Sequence, residues 1–255
     1  MTIPKTEVLG VGVSAVNLAS ATAEMLRWIA EGEKYYVSVA DVHGVIEAQD
    51  DPGFKKILND SGLIIPDGRP IFWLLRLAGH GDVTQTTGSD LIQRFSEALA
   101  ERGYSAFYYG GAPGVAENVA AVLEDRYPGL RTADTYCPPF RDLDAREEAE
   151  IVDMINVSGA HVVWVGLGAP KQERWMARFI DRLDVPVLVG VGAVFDFLTG
   201  RVKRCPRWLQ IAGLEWLYRI SQEPRRLWKR YARNIPLFLY YLLCERLGLR
   251  DFRSN

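Results

Sequence analysis

Cysteine, histidine and long apolar runs are all scarce in this chain. Its 255 residues include three cysteines, Cys137, Cys205 and Cys244, far apart and without a CxxC spacing. That excludes a disulfide-stapled scaffold, argues against structural zinc, and fits a reducing compartment. His43, His80 and His161 are isolated, with no HxH or HExxH pair, so no metal site is expected. His161 precedes an apolar strand and reads as structural. The longest near-continuous apolar run, Leu237–Cys244, is eight residues. A bilayer-spanning helix needs about 20, so no crossing is expected. Met1–Glu7 is polar and lacks the apolar core of a signal peptide. There is no P-loop, internal repeat or low-complexity tract.

What is present is an ordinary globular balance, 48% apolar and 24% charged, which excludes intrinsic disorder. The net charge of −2 hides a division. Residues 201–233 contain ten Lys/Arg, opposed only by Glu215 and Glu223. That stretch carries +8 and the remainder −10.

Short apolar strands alternate with helical patterns. Strands are expected at Val8–Val13, Tyr35–Val39, Leu63–Ile65, Ala106–Tyr109, Arg131–Tyr136, Val162–Val165 and Val187–Val191. Helices are expected at Ser20–Glu31, Val42–Gln49, Pro52–Asn59, Pro70–Leu77, Asp90–Arg102, Val115–Tyr127, Ala145–Val157 and Gln172–Leu183. This order predicts an α/β fold, a Rossmann-like and mostly parallel sheet with helices on both faces. After Gly200 only helical patterns rich in Arg, Trp and Leu remain. The expected organisation is a catalytic domain over 1–200 and a basic helical appendage over 201–255.

In such sheets ligands sit at the carboxyl ends of strands, so the segments after each strand carry the most weight. Gly10, Gly12 and Ala15 fit a GxGxxA dinucleotide fingerprint, but only loosely, because Val13–Ala19 separates the turn from the next helix. Gly110-Gly111-Ala112-Pro113-Gly114 suits close backbone approach to a phosphate at a helix start, or simply a tight turn. In Gly166–Glu173, Lys171 and Gln172 stand where they can reach a diphosphate or a sugar hydroxyl, and a merely solvated helix start gives no reason for Gly166 and Gly168. Asp67, between Pro66 and Gly68, suits a general base. On the residues alone, a turn-forming aspartate is the favoured reading there. Asp142-Leu143-Asp144 has the form of a metal–diphosphate DxD, but just before a helix an N-cap role is favoured.

In the basic segment, Trp208, Trp216, Tyr218, Trp228 and Tyr231 are interleaved with arginines. This suits an anionic membrane surface better than nucleic acid, given the short apolar stretch that follows. A helix pair packed on the domain, or a homo-oligomer burying the apolar helices, is the simpler alternative.

Taken together, Pro66-Asp67-Gly68, Thr87-Gly88-Ser89-Asp90-Leu91, Tyr109-Gly110-Gly111, Gly166–Trp175, Gly190–Asp196, Arg207–Gln210 and Gly213–Trp216 resemble the WecG/TagA/CpsF glycosyltransferases (glycosyltransferase family 26). The resemblance covers most of the chain. It implies an inverting transferase without cofactor or metal, moving N-acetylmannosamine or its uronic acid from a UDP-sugar. The implied acceptor is a polyprenyl-diphosphate-linked sugar, in cell-envelope or exopolysaccharide synthesis. The enzyme would be cytoplasmic and peripheral on the inner face of the plasma membrane. The resemblance carries the base onto Asp67, a donor contact onto Gln172 and a nucleotide contact onto Asp196. Thr87, Ser89, Gly110, Gly111, Gly168 and Lys171 are further expected donor contacts. Arg207, Arg226 and Arg230 are candidates for the acceptor diphosphate and the membrane.

Two departures bear on sugar identity. Many members carry Thr-x-Asn where this chain has Val39-Ala40-Asp41, and an arginine where it has Gln85. UDP-glucose or another UDP-hexose is therefore an alternative donor. A nicotinamide-dependent oxidoreductase and a non-catalytic membrane-associated subunit are the alternatives from other classes.

Overall fold

The computed structural model describes residues 3–252, apart from the side chain of Arg226. Six parallel strands form one sheet: β3 (Tyr35–Ala40), β4 (Leu63–Pro66), β5 (Ser105–Gly110), β6 (Arg131–Tyr136), β7 (Val162–Gly166) and β8 (Val187–Gly190). Their order is β4-β3-β8-β7-β5-β6. The strands other than β6 are mostly apolar because both faces are covered, and alternate residues serve opposite layers; β6, at the sheet edge, is RTADTY and has no buried residue. Ala106, Tyr108, Val162, Trp164, Val187 and Val189 pack with α1 (Leu18–Glu31), α5 (Gly88–Arg102), α6 (Val115–Arg126) and α9 (Val194–Leu198). Phe107, Tyr109, Val163, Val165 and Leu188 face the opposite way, onto α7 (Ala145–Val157) and α8 (Lys171–Phe179). The expected α/β sheet with helices on both faces is therefore present.

The first expected strand is instead two. β1 (Lys5–Val8) and β2 (Val11–Ser14) form a separate antiparallel hairpin. Leu9 and Gly10 make its turn at φ 52° and 76°, the left-handed backbone that a tight hairpin turn requires. The apolar run could not reveal this, because Val8, Leu9, Val11 and Val13 are all buried and no polar residue marks the bend. The correction removes the dinucleotide fingerprint. Gly10 and Gly12 sit in and after a hairpin turn, with no helix N-terminus aimed past them. The hairpin guards the edge strand β4, where the Ser14 hydroxyl accepts the Ile64 N–H at 3.0 Å.

Helix α1 begins earlier than Ser20. Asn17 is its N-cap and Ser20 closes a capping box with it. Asp144 N-caps α7 in a second capping box with Glu147, so the DxD-like segment is a helix start, as favoured.

Past Gly200 the chain is helical: α10 (Arg207–Ile211), α11 (Glu215–Gln222) and α12 (Pro224–Arg246). These helices fold back onto the body. Phe238 of α12 and Phe252 are buried with Val8, Val11 and Phe54, among residues of the hairpin, α2 (Val42–Asp50), α3 (Pro52–Asn59) and α4 (Arg69–Leu77). Lys55, itself buried, donates to the Phe252 carbonyl at 3.1 Å. No helix among the described residues is long and apolar enough to cross a membrane.

Candidate functional site

The carboxyl ends of β3, β4, β7 and β8 and the starts of α5 and α8 surround a cavity of about 460 Å³. Asp67, Thr87, Ser89, Gly168, Lys171, Gln172 and Asp196, distant in sequence, all line it. Gly110 and Gly111 do not. Their lack of side chains serves packing: a Cβ on Gly110 would lie 2.8 Å from the Gly166 backbone, and one on Gly111 2.9 Å from Val115. Arg230 lines the main cavity, and Arg207 a neighbouring one of about 330 Å³. The side chain of Arg226 lies outside the described residues.

Each wall has a local cause. Thr87 caps α5, accepting the Asp90 N–H at 3.1 Å. Ser89 is buried beside it in the first turn. Gly168 holds φ 77°, and a side chain there would meet no atom within 4 Å. It is the backbone turn, not crowding, that requires glycine. Gln172 is buried and hydrogen-bonded through both ends of its amide. Its Oε1 accepts the Gly168 N–H at 3.2 Å and its Nε2 donates to Glu173 at 2.8 Å. It thereby fixes the glycine loop that forms the cavity wall. Lys171 is exposed at the cavity mouth, 4.8 Å from the centre of the Phe140 ring. Asp196 pairs with Arg201 at 3.6 Å.

Asp67 stands one residue past β4, with its N–H on the Ala40 carbonyl at 3.0 Å. It also lines an inner cavity of about 120 Å³, closed by Glu215 and Arg219 of α11 and Tyr231 of α12. Burial, then the like charges of Glu215 and Asp41, push its carboxyl up to about 8; Arg219 and the Gly88 N–H oppose them. Burial also raises Glu215, against the pull of Arg219 and Arg204. Burial holds Glu173 at about 7, and its Oε2 has no hydrogen-bond partner. Asp41 behaves oppositely. Burial alone would raise it, but Arg230, His43 and the Gly44 N–H outweigh that and hold it below the usual carboxylate range. Its Oδ1 caps α2 and its Oδ2 meets Arg230 at 3.5 Å.

The site thus holds one carboxylate kept ionised by a cation, Asp41, beside two carboxyls raised toward neutral pH, Asp67 and Glu173. That is the arrangement that yields a base with a pKa near working pH. Sequence reasoning gave Glu173, Glu215 and Arg219 no role of their own, and raised Asp41 only as a departure bearing on the sugar. One signal was available: Glu215 is one of two acids within a strongly basic segment. Among the described residues, no group of three or more His, Cys, Asp or Glu could hold a metal ion.

A family profile described as "Glycosyl transferase WecG/TagA/CpsF family" matches residues 6–252. The chain belongs to this glycosyltransferase family. Two similar proteins are both named N-acetylglucosaminyldiphosphoundecaprenol N-acetyl-beta-D-mannosaminyltransferase. One, from Bacillus spizizenii, is 30% identical over 198 residues, 77% of this chain and 74% of its own. The other, from Bacillus subtilis, is 25% identical over 244 residues, 92% of this chain and 93% of its own. The profile spans both the sheet and the arginine-rich helices. All the strand-end segments around the cavity therefore lie inside the WecG/TagA/CpsF match. As a member of that family the chain is an inverting, UDP-sugar-dependent hexosyltransferase of envelope polysaccharide synthesis.

Proposed function

We propose that this enzyme transfers N-acetylmannosamine, or its uronic acid, from the UDP-sugar to a sugar on a polyprenyl diphosphate. The observation that carries this reading is the place of Asp67 at the seam of two cavities. The large one, ringed by glycine turns and Lys171, suits a sugar nucleotide. The inner one, roofed by α11 and α12, lies on the other side of the same carboxylate. In a single displacement the acceptor hydroxyl oxygen attacks the anomeric carbon while Asp67 takes its proton. The bond from that carbon to the diphosphate oxygen breaks, and UDP leaves with the electron pair from the opposite face, inverting the centre. Lys171 and the N-terminus of α8 offset the charge that grows on UDP. Gln172 acts by holding the loop rather than by reaching into solvent.

Residues 1–200 serve as the transferase body in this proposal, and 201–255 as the part that meets the membrane, on its cytoplasmic face. Trp208, Ile211, Leu217 and Trp228 are exposed, as are Arg225 and Lys229. Aromatic and basic residues together suit an anionic lipid surface. Arg230, paired with Asp41, belongs to the cavity instead. The exposed Leu239, Leu243 and Leu247 of α12 and its C-terminal cap are the face a homo-oligomer would cover.

Val39 lines the donor cavity and Gln85 the two beside it. A hydroxyl and a cation more usual in the family are thereby lost next to the sugar, which keeps UDP-glucose as a second donor. The test is calorimetric titration with UDP, with GDP and NAD as controls, in EDTA. A screen of the three UDP-sugars against a polyprenyl-diphosphate-N-acetylglucosamine acceptor follows. UDP binding with transfer from the mannosamine donor is the expected result. NAD binding, or UDP binding without transfer from any donor, would overturn the reading.

A further inference from the structure

The cavity of about 330 Å³ beside the donor groove has an unusual charge balance. Arg69, Arg204 and Arg207 line it, against one carboxylate, Asp90. Asp90 is already matched, by Arg204 at 2.6 Å. Arg69 is held in place by its Nε, which donates to the Gln210 carbonyl at 3.1 Å, and Gln210 in turn donates to the Cys205 carbonyl at 2.6 Å. Arg207 is exposed and has no ion pair among the described residues. Two guanidinium charges therefore face one open cavity without a counter-charge. Like charges held together repel, so this arrangement does nothing for the fold by itself. It suits an incoming dianion, since planar guanidinium groups bind phosphate oxygens in pairs.

The position is as informative as the charge. The cavity shares Thr87, Arg204 and Gln210 with the donor groove, and Arg69, Gln85 and Gln210 with the inner cavity of Asp67. Its outer wall is Ile211, exposed on α10 alongside Trp208. A ligand with a diphosphate here would extend its sugar inward toward Asp67 and leave its apolar chain over that rim.

We propose that Arg69, Arg204 and Arg207 form a subsite for the diphosphate of the lipid-linked acceptor, separate from the place of the UDP diphosphate. The proposal rests on the transferase reading above. Calorimetry with inorganic diphosphate tests it, with and without saturating UDP. One diphosphate per chain should bind while UDP is present. Arg69→Gln with Arg207→Gln should weaken it at least tenfold and leave UDP affinity within twofold. Arg207→Glu alone, at an exposed and unpaired position, should act in the same direction if the double variant does not fold. Displacement of diphosphate by UDP, no diphosphate binding to the unaltered protein, or unchanged binding by both variants would overturn the subsite. Displacement by phosphatidylglycerol vesicles would assign the arginines to lipid headgroups and overturn it too. Failure of UDP alone to bind counts against the transferase reading and leaves the diphosphate result to be read by itself.

Discussion

Replacing Asp67 with asparagine should disable the enzyme and make it more stable. The carboxyl is pushed from 3.8 up to about 8, first by burial and then by Glu215 and Asp41. The folded state therefore binds a proton more tightly than the unfolded chain does. Between roughly pH 4 and 8 the unaltered protein loses stability as pH rises, and above 8 the loss levels off. The displacement taken whole corresponds to roughly 5–6 kcal/mol. Solvent reaching the cavity reduces that to about 1–3 kcal/mol. The asparagine side chain cannot ionise and escapes the penalty. The Tm of Asp67→Asn should exceed that of the unaltered enzyme by about 2–10 °C at pH 8.5, and the gap should shrink toward pH 5. Turnover should fall by about 10²–10⁴-fold, the usual contribution of a general base, with UDP affinity preserved. Scanning calorimetry across pH, with a transfer assay on the same samples, reads both. Equal Tm values at pH 8.5 would refute the argument from burial, and normal turnover would remove Asp67 as the base.

Glu215→Gln removes the foremost like charge raising Asp67, so the acid limb of the kcat/KM profile should move to lower pH, by up to about one unit; an unmoved limb would mean the two carboxyls do not interact. Gly166→Ala would set a Cβ 2.6 Å from the Phe195 ring, and urea unfolding should register a loss of about 1–3 kcal/mol. Asp144→Ala removes the α7 cap at a cost of about 1 kcal/mol, with turnover unchanged; lost activity would revive a diphosphate role for that segment. Trp208→Ser with Trp228→Ser should reduce sedimentation with phosphatidylglycerol vesicles, and added salt should reduce it further.

The strand–helix alternation was legible because buried parallel strands are short apolar runs, and caps such as Gly32 and Gly103 mark helix ends. The hairpin was not legible, because its turn is as buried as its strands. Among the candidate residues, the strand-end rule singled out Asp67, Gly168 and Gln172 and the family resemblance Asp196, and all four line one cavity. The strand-end rule also raised Gly110 and Gly111, whose glycines answer to neighbouring backbone and side chains instead. Pairing of the appendage with the body was invisible for another reason. Arg204 and Arg230 meet Asp90 and Asp41 across 114 and 189 residues of chain, and no local spacing encodes such partners.

By itself the sequence determined the sheet type, the carboxyl-end location of the main cavity, the absence of a membrane-spanning helix among the described residues and the family. These follow from periodicity, run length and short motifs, which are local properties of the chain. Only the tertiary structure decided that α11 and α12 close over Asp67. It likewise decided that Glu215, one of the few acids among the surrounding arginines, is the foremost charge raising the Asp67 carboxyl, and that three arginines converge on one cavity. A carboxyl's pKa depends on burial and on charges within several ångströms, and those distances exist only once the last 50 or so residues have folded back onto the sheet.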